Sequence, residues 1–208
     1  MIKILRSNKM NLFEKVSLEQ YKKDLLNYYP KLANVPNIDE IITKIYEGIK
    51  LPKRGTKDSA GYDFFLPHDI SIDLGGVLIV PTGIRCQMDN DLVLELFPRS
   101  GHGFKYHLVF ANTVGIVDAD YYHSSNEGHI MIEIIYSGFA NDKLGYISID
   151  DGIPNPTLYP FKPNDIPRYL DFKKGTAVCQ GILTPFKKVE GDDVDTIRDG
   201  GFGSTDNK

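Results

Sequence analysis

The chain has 208 residues, of which 41% are hydrophobic and 25% charged, and carries a formal net charge of −4. That length and balance suit one globular domain with a single buried core and exclude wholesale disorder. A net negative chain with no long basic run offers little to a nucleic-acid backbone, so no nucleic-acid partner is expected, although backbone amides and a few cations can still hold a small anion.

The N-terminal run from Met1 to Lys9 is too short in apolar residues for a signal peptide. Nothing approaches the roughly 20 apolar residues of a membrane helix, so a cytoplasmic location without membrane contact is expected. Residues 1–50 read as a helical extension. Ser17-Leu18-Glu19-Gln20 fits a capping box in which Gln20 reaches back to Ser17. Leu18, Tyr21 and Leu25 follow at helical spacing, and Pro30 marks the stop. Asn37-Ile38-Asp39-Glu40 starts a second helix, with a stripe of Ile38, Ile41, Ile42, Ile45, Tyr46 and Ile49.

From residue 51 the pattern becomes one of short strands punctuated by Gly and Pro, which predicts a sandwich or barrel-like β domain. The runs are Ile70 to Ile72, Val77 to Val80, Leu92 to Leu96, Leu108 to Phe110, Ile130 to Ile135 and Gly181 to Pro185. Residues 138–174, polar and rich in proline, read as an extended loop or insertion. Cys86 and Cys179, far apart in apolar stretches, read as buried free thiols.

Three segments carry candidate chemistry, each with a plainer alternative. Asp118-Ala119-Asp120-Tyr121 follows an apolar strand; its carboxylates suit a general base or a cation, or simply a turn. Pro98-Arg99-Ser100-Gly101-His102-Gly103 offers a planar guanidinium, a hydroxyl and accessible amides for an anion, or a turn whose Arg pairs with a carboxylate. The tail from Arg198 to Thr205, with Phe202 among glycines, is either frayed or a lid over a phosphorylated aromatic ligand.

Taken together and in order, these segments resemble the motifs of the trimeric dUTP pyrophosphatase (dUTPase) family, in the style of bacteriophage and Gram-positive versions. The resemblance rests on Ala60-Gly61-Tyr62-Asp63, Pro98-Arg99-Ser100-Gly101, Gly115-Ile116-Val117-Asp118-Ala119-Asp120-Tyr121, a weaker Gly175-Thr176-Ala177-Val178-Cys179-Gln180, and Gly201-Phe202-Gly203-Ser204-Thr205. The spacer Ile79-Val80-Pro81-Thr82-Gly83-Ile84 also fits.

The resemblance implies a mainly β, β-clip fold, a distorted jelly-roll barrel spanning 51–208, preceded by the helical extension. It implies hydrolysis of dUTP to dUMP and pyrophosphate, which keeps uracil out of DNA and supplies dUMP for thymidylate synthesis. The implied base that activates the attacking water is Asp118, with Asp120 supporting the loop. Arg99, Ser100, Gly101 and Gln180 would cradle the phosphates. Asn112 would read the uracil edge beside Gly115, and Tyr121 would exclude a ribose hydroxyl. Phe202 would stack on the base, with Arg198, Gly203, Ser204 and Thr205 in a lid arm over 196–208. The implied cofactor is Mg²⁺, with Asp63 in its outer shell through water. The implied assembly is a homotrimer whose sites are shared between chains.

Several residues depart from the family pattern. Thr176 and Ala177 replace an acidic residue and an arginine, Arg198 lies one residue closer to Phe202 than usual, and Tyr122 to Gly128 lengthens a hairpin. Two rival functions follow. One is a dCTP deaminase, alone or bifunctional, with Glu127 as its proton shuttle; the plainer reading of Glu127 is a solvated hairpin residue. The other is a non-catalytic nucleotide-binding regulator, with a protein partner docking through 1–50 or 138–174.

Overall fold

The computed structural model describes residues 11–137, 143–150, 153–160 and 167–195. The chain opens with strand β1 (Leu12–Lys15) and helix α1 (Leu18–Tyr28). Ser17 is extended, and its hydroxyl accepts the Gln20 amide hydrogen bond, as a cap should. The helix stops where Pro30 begins a short 3-10 turn. Tyr21 and Leu25 are buried, so the predicted apolar face is the one that packs.

Helix α2 (Ile38–Glu47) also forms, with Asp39 and Glu40 in its first turn and Lys44 in its last, each matched to the helix dipole. Asn37 does not cap it by side chain, however, because Asn37 sits in the left-handed region at φ 58°. Ile42 and Ile49 are buried while Ile41 is exposed, so the stripe sinks less deeply than its hydrophobicity predicts. The Lys15 ammonium donates to the carbonyls of Tyr46 and Glu47 and ties the last turn of α2 to β1.

Thirteen further strands follow: β2 (Lys53–Arg54), β3 (Tyr62–Phe65), β4 (Ile70–Asp73), β5 (Val77–Pro81), β6 (Ile84–Gln87), β7 (Leu92–Pro98) and β8 (Leu108–Phe110), then β9 (Gly115–Asp118), β10 (Met131–Tyr136), β11 (Lys143–Asp150), β12 (Ile153–Pro160), β13 (Tyr169–Phe172) and β14 (Ala177–Pro185). Helix α3 (Ser100–Tyr106) lies between β7 and β8. The largest sheet has the order β2-β3-β14-β7-β9; a second runs β5-β10-β8; and β1-β6, β13-β4 and β11-β12 form pairs. The mainly β expectation therefore holds, but among the described residues the sheets do not close into one barrel. Strands this short, with a bulge in β14 between Ala177 and Cys179, curl over the core in separate pieces. One exposed edge is covered from the extension: the Tyr29 hydroxyl donates to the Ile79 carbonyl on edge strand β5.

The loop reading of 138–174 is corrected. β11 and β12 make a hairpin paired from Lys143↔Pro160 to Asp150↔Ile153, and β13 pairs with β4. Proline in this stretch signalled a loop, yet Pro154, Pro156 and Pro160 stand in register with Ile149, Ile147 and Lys143 on β11.

The extension is joined to the long hairpin between β9 and β10 by three polar contacts. Glu127 accepts hydrogen bonds from the Ser17 amide and hydroxyl, both at 2.7 Å. The role expected of Gln20 thus belongs to Glu127, and the Gln20 amide donates to Asp24 instead. Glu127 is half-buried and committed to Ser17, and it holds the clasp at a backbone φ of 59°. Deeper in, His129 is fully buried. Its Nε2 accepts the Gly83 amide at 2.7 Å, so the ring proton resides on Nδ1, which donates to Asp24 at 2.6 Å. The pair is therefore a neutral imidazole on a carboxylate, a hydrogen bond rather than an ion pair. Further out, the Tyr122 hydroxyl donates to Glu14 while the Arg85 guanidinium stacks 4.4 Å from the Tyr122 ring centre.

Both cysteines are free and buried. Burial pushes the Cys86 thiol up to about 12, and burial followed by the Asp63 charge raises that of Cys179 as well.

Glu127→Ala strips a bidentate, charge-assisted cap from a partly buried Ser17. Urea denaturation should then show a loss of about 1–3 kcal/mol; unchanged stability would mean the clasp contributes nothing net.

Candidate active site

Two cavities gather five of the nine described residues singled out from the sequence. The first, of about 320 Å³, is walled by Ile79, Leu96, Phe110 and Ile132 and receives Asn112 and Gly115. Asn112 projects from the turn between β8 and β9, where Thr113 takes a left-handed φ of 64° and the Val114 amide bonds back to the Asn112 carbonyl. Gly115 opens β9 opposite Leu96. A Cβ at Gly115 would lie 3.1 Å from that of Leu96, so glycine here lets β9 lie close beside β7. A mostly apolar slot with the Asn112 amide, beside the Glu133 carboxylate and Tyr28, suits a flat ring bearing both donors and acceptors.

The second cavity, wider at about 750 Å³, is lined by Arg99, Ser100 and Gln180 together with Phe97, Phe104 and His107. Arg99 stands at the start of α3, and its Nε lies 3.3 Å from the Asp63 carboxylate on β3. The predicted pairing of Arg with a carboxylate is present, and it leaves the guanidinium on the wall of an open cavity. The His102 ring packs 5.1 Å from Phe172 and pins α3 against β13. Burial, then the Arg99 charge, lowers the His102 pKa and keeps its imidazole neutral. Gly101 follows Ser100 in α3 but does not line the cavity.

The cavities share no lining residue, and strand alternation explains why. Leu96 and Gly115 are register partners on the inward face of the largest sheet and belong to the first cavity. Phe97 pairs with Gln180, and with Ile182 these point to the opposite face, at the second cavity. Asp118 ends β9 opposite Val93, on the same side as Glu95 and Phe97, and lines neither cavity. Tyr121 lies in the 3-10 turn that follows and is buried. Its hydroxyl donates to the His129 carbonyl at 3.0 Å and accepts from Asn126 at 2.8 Å, so its ring is fixed.

Arg198, Phe202, Gly203, Ser204 and Thr205 lie outside the described residues. No group of three or more His, Cys, Asp or Glu converges among those described. Asp63 is the one predicted metal-associated carboxylate there, and a single carboxylate suits a hard cation held mostly by ligand oxygens and water. Sequence reasoning missed Tyr28, Met131 and Glu133 in the first cavity and Phe104 and His107 in the second. None belongs to a motif; Tyr28 reads only as a helix residue, and the exposed Phe104 as turn chemistry.

Comparison with known proteins supplies the family context. The dUTPase family model matches residues 47–138. The deoxyuridine 5'-triphosphate nucleotidohydrolase of Lactococcus lactis is 32% identical over 170 residues, covering 80% of this chain and 95% of that protein. The crystal structure of the Streptococcus mutans dUTPase superposes with a TM-score of 0.52 at 32% identity, over 70% of this chain and 91% of that one. The dUTPase of Staphylococcus aureus phage phi11, in which a structural Mg(II) ion is coordinated, shares the fold at 22% identity and a TM-score of 0.50, over 74% and 94% of the two chains.

The close approach at Gly115 generates a prediction. Gly115→Ala should force β9 off β7 and cost about 1–3 kcal/mol in denaturant unfolding, as overpacking does. A variant of wild-type stability would show that the strands have room to spare.

Proposed function

Because the chain belongs to the dUTPase family, we propose that it hydrolyses dUTP to dUMP and pyrophosphate at sites shared between the subunits of a homotrimer. The observation that carries this reading is the division of the motif residues between two cavities on opposite faces of one sheet. One side is fit for a base and the other for phosphates, a division that favours a ligand held between two copies of the chain.

In this scheme the uracil enters the slot with Asn112, whose amide both donates to and accepts from the ring edge. The Arg99 guanidinium, the Ser100 hydroxyl and the Gln180 amide hold the phosphates of a nucleotide seated in a neighbouring chain. The Asp63 partner keeps the Arg99 fork oriented. Asp118 accepts a proton from water, which attacks the α-phosphorus in line. The new P–O bond forms as the bond to the α,β-bridging oxygen breaks, and pyrophosphate leaves. Bound Mg²⁺ would neutralise charge on the triphosphate, with Asp63 reaching its waters. Tyr121, fixed by Asn126 and the His129 carbonyl, would exclude the ribose 2′-hydroxyl, and the arm from Arg198 to Thr205 would close over the ligand. The reaction keeps uracil out of DNA and supplies dUMP.

The deaminase alternative loses its proton shuttle, because both Glu127 oxygens are committed to Ser17. The non-catalytic alternative has no use for a carboxylate at Asp118.

Incubation with Mg²⁺ and dUTP, dCTP, dTTP or UTP, resolved by ion-exchange chromatography, should consume dUTP alone. Asp118→Asn should bind dUTP within about threefold of wild type while losing about 10³ in kcat, within the usual worth of general base catalysis. Ammonia released from dCTP would revive the deaminase reading, and an inert wild type the binding one.

A further inference from the structure

The cavity that receives Asn112 has a wall the family motifs do not supply. Tyr28, the last residue of α1, lines it together with Asn112, Met131 and Glu133. The helix that carries Tyr28 lies wholly before the residues matched by the family model. It is nonetheless fixed to the β domain along its length, and at its end to a wall of that cavity. Glu127 holds Ser17 at its start, His129 holds Asp24 in its middle, and the Tyr29 hydroxyl holds the Ile79 carbonyl just past its end. Ile79 itself lines the cavity. Tyr28 is therefore presented by a braced element one residue from an anchor.

The chemistry of the slot leaves work for such a group. At about 320 Å³ it is at the small end of ligand pockets and suits one flat ring. A uracil edge presents a carbonyl oxygen, an N–H and a second carbonyl oxygen in a row, and the Asn112 amide can answer two of the three. One acceptor oxygen then needs a donor. The Tyr28 hydroxyl makes no hydrogen bond to protein among the described residues. Burial first, then the charges of Asp24 and Glu133, raise the Tyr28 pKa, so the phenol stays protonated and able to donate.

We propose that Tyr28 contacts the bound base: its ring forms a wall of the pyrimidine slot and its hydroxyl donates to an exocyclic carbonyl oxygen. This rests on the reading of the first cavity as the base half of the dUTP site. It makes the N-terminal helix part of the active site and not only packing on the outer face.

Tyr28→Phe keeps the ring and removes the donor, and Tyr28→Leu removes both. Steady-state kinetics with dUTP and Mg²⁺, together with calorimetric titration of dUMP, read the effect. Tyr28→Phe should raise KM for dUTP and the Kd for dUMP in parallel by about three- to tenfold, one ordinary hydrogen bond, with kcat and the melting temperature held. Tyr28→Leu should lose more and narrow the preference for dUTP over dTTP. A wild-type enzyme that turns over dUTP beside a Tyr28→Phe variant with unchanged KM and dUMP affinity would overturn the proposal while leaving the functional reading intact. A wild type that neither binds dUMP nor hydrolyses dUTP would remove that reading, and this proposal with it.

Discussion

A neutral imidazole sealed inside the protein ties three separate parts of this architecture together. His129 answers two demands at once: the Gly83 amide needs an acceptor, and the Asp24 carboxylate needs a donor. Each is costly if left unmet in a dry interior. Because Nε2 must accept, the proton sits on Nδ1, and only that tautomer satisfies both sides. Gly83 completes the arrangement with a φ of 73°, in a space where a Cβ would strike the Ile49 side chain at 2.3 Å. The helical extension, the β5–β6 turn and the long hairpin thus meet at one ring.

This meeting point also accounts for the length of the hairpin. The residues from Tyr122 to Gly128 supply the Glu127 carboxylate and the Tyr122 hydroxyl that grip the extension. The segment that looks like an appendage and the loop that looks like an insertion are two halves of one interface. On either side of the sheet beyond it, strand alternation separates the cavity of Asn112 from that of Arg99. The period of two that builds the core is the same constraint that divides the chemistry.

Much of this was legible in the sequence, for identifiable reasons. Ser17 and Pro30 bounded the first helix correctly because capping and proline act locally. The strands from Ile70 to Phe110 stood out through β-branched runs between glycines. The motif order pointed to the grouping of Arg99, Ser100 and Gln180, and of Asn112 with Gly115. What escaped was non-local. Nothing near Gln20 says that a residue more than a hundred positions away will take its capping role, and nothing in the spacing of Tyr28 marks it as facing a cavity. Ile41 was expected to be buried because periodicity reports a face without reporting how deeply its neighbours cover it. The hairpin of β11 and β12 was hidden by its own prolines, since composition signals a breaker and cannot see a pairing register.

Those prolines have a consequence for how the protein behaves in a crowded solution. A strand with free amides along its outer edge is a template on which another extended chain can grow, whether in domain exchange or in fibril formation. Proline has no N–H to give, so a strand that carries Pro154, Pro156 and Pro160 offers an incoming chain fewer donors than its length would. Among the described residues β11 and β12 pair only with each other, and a hairpin so built is a poorer template for a further strand.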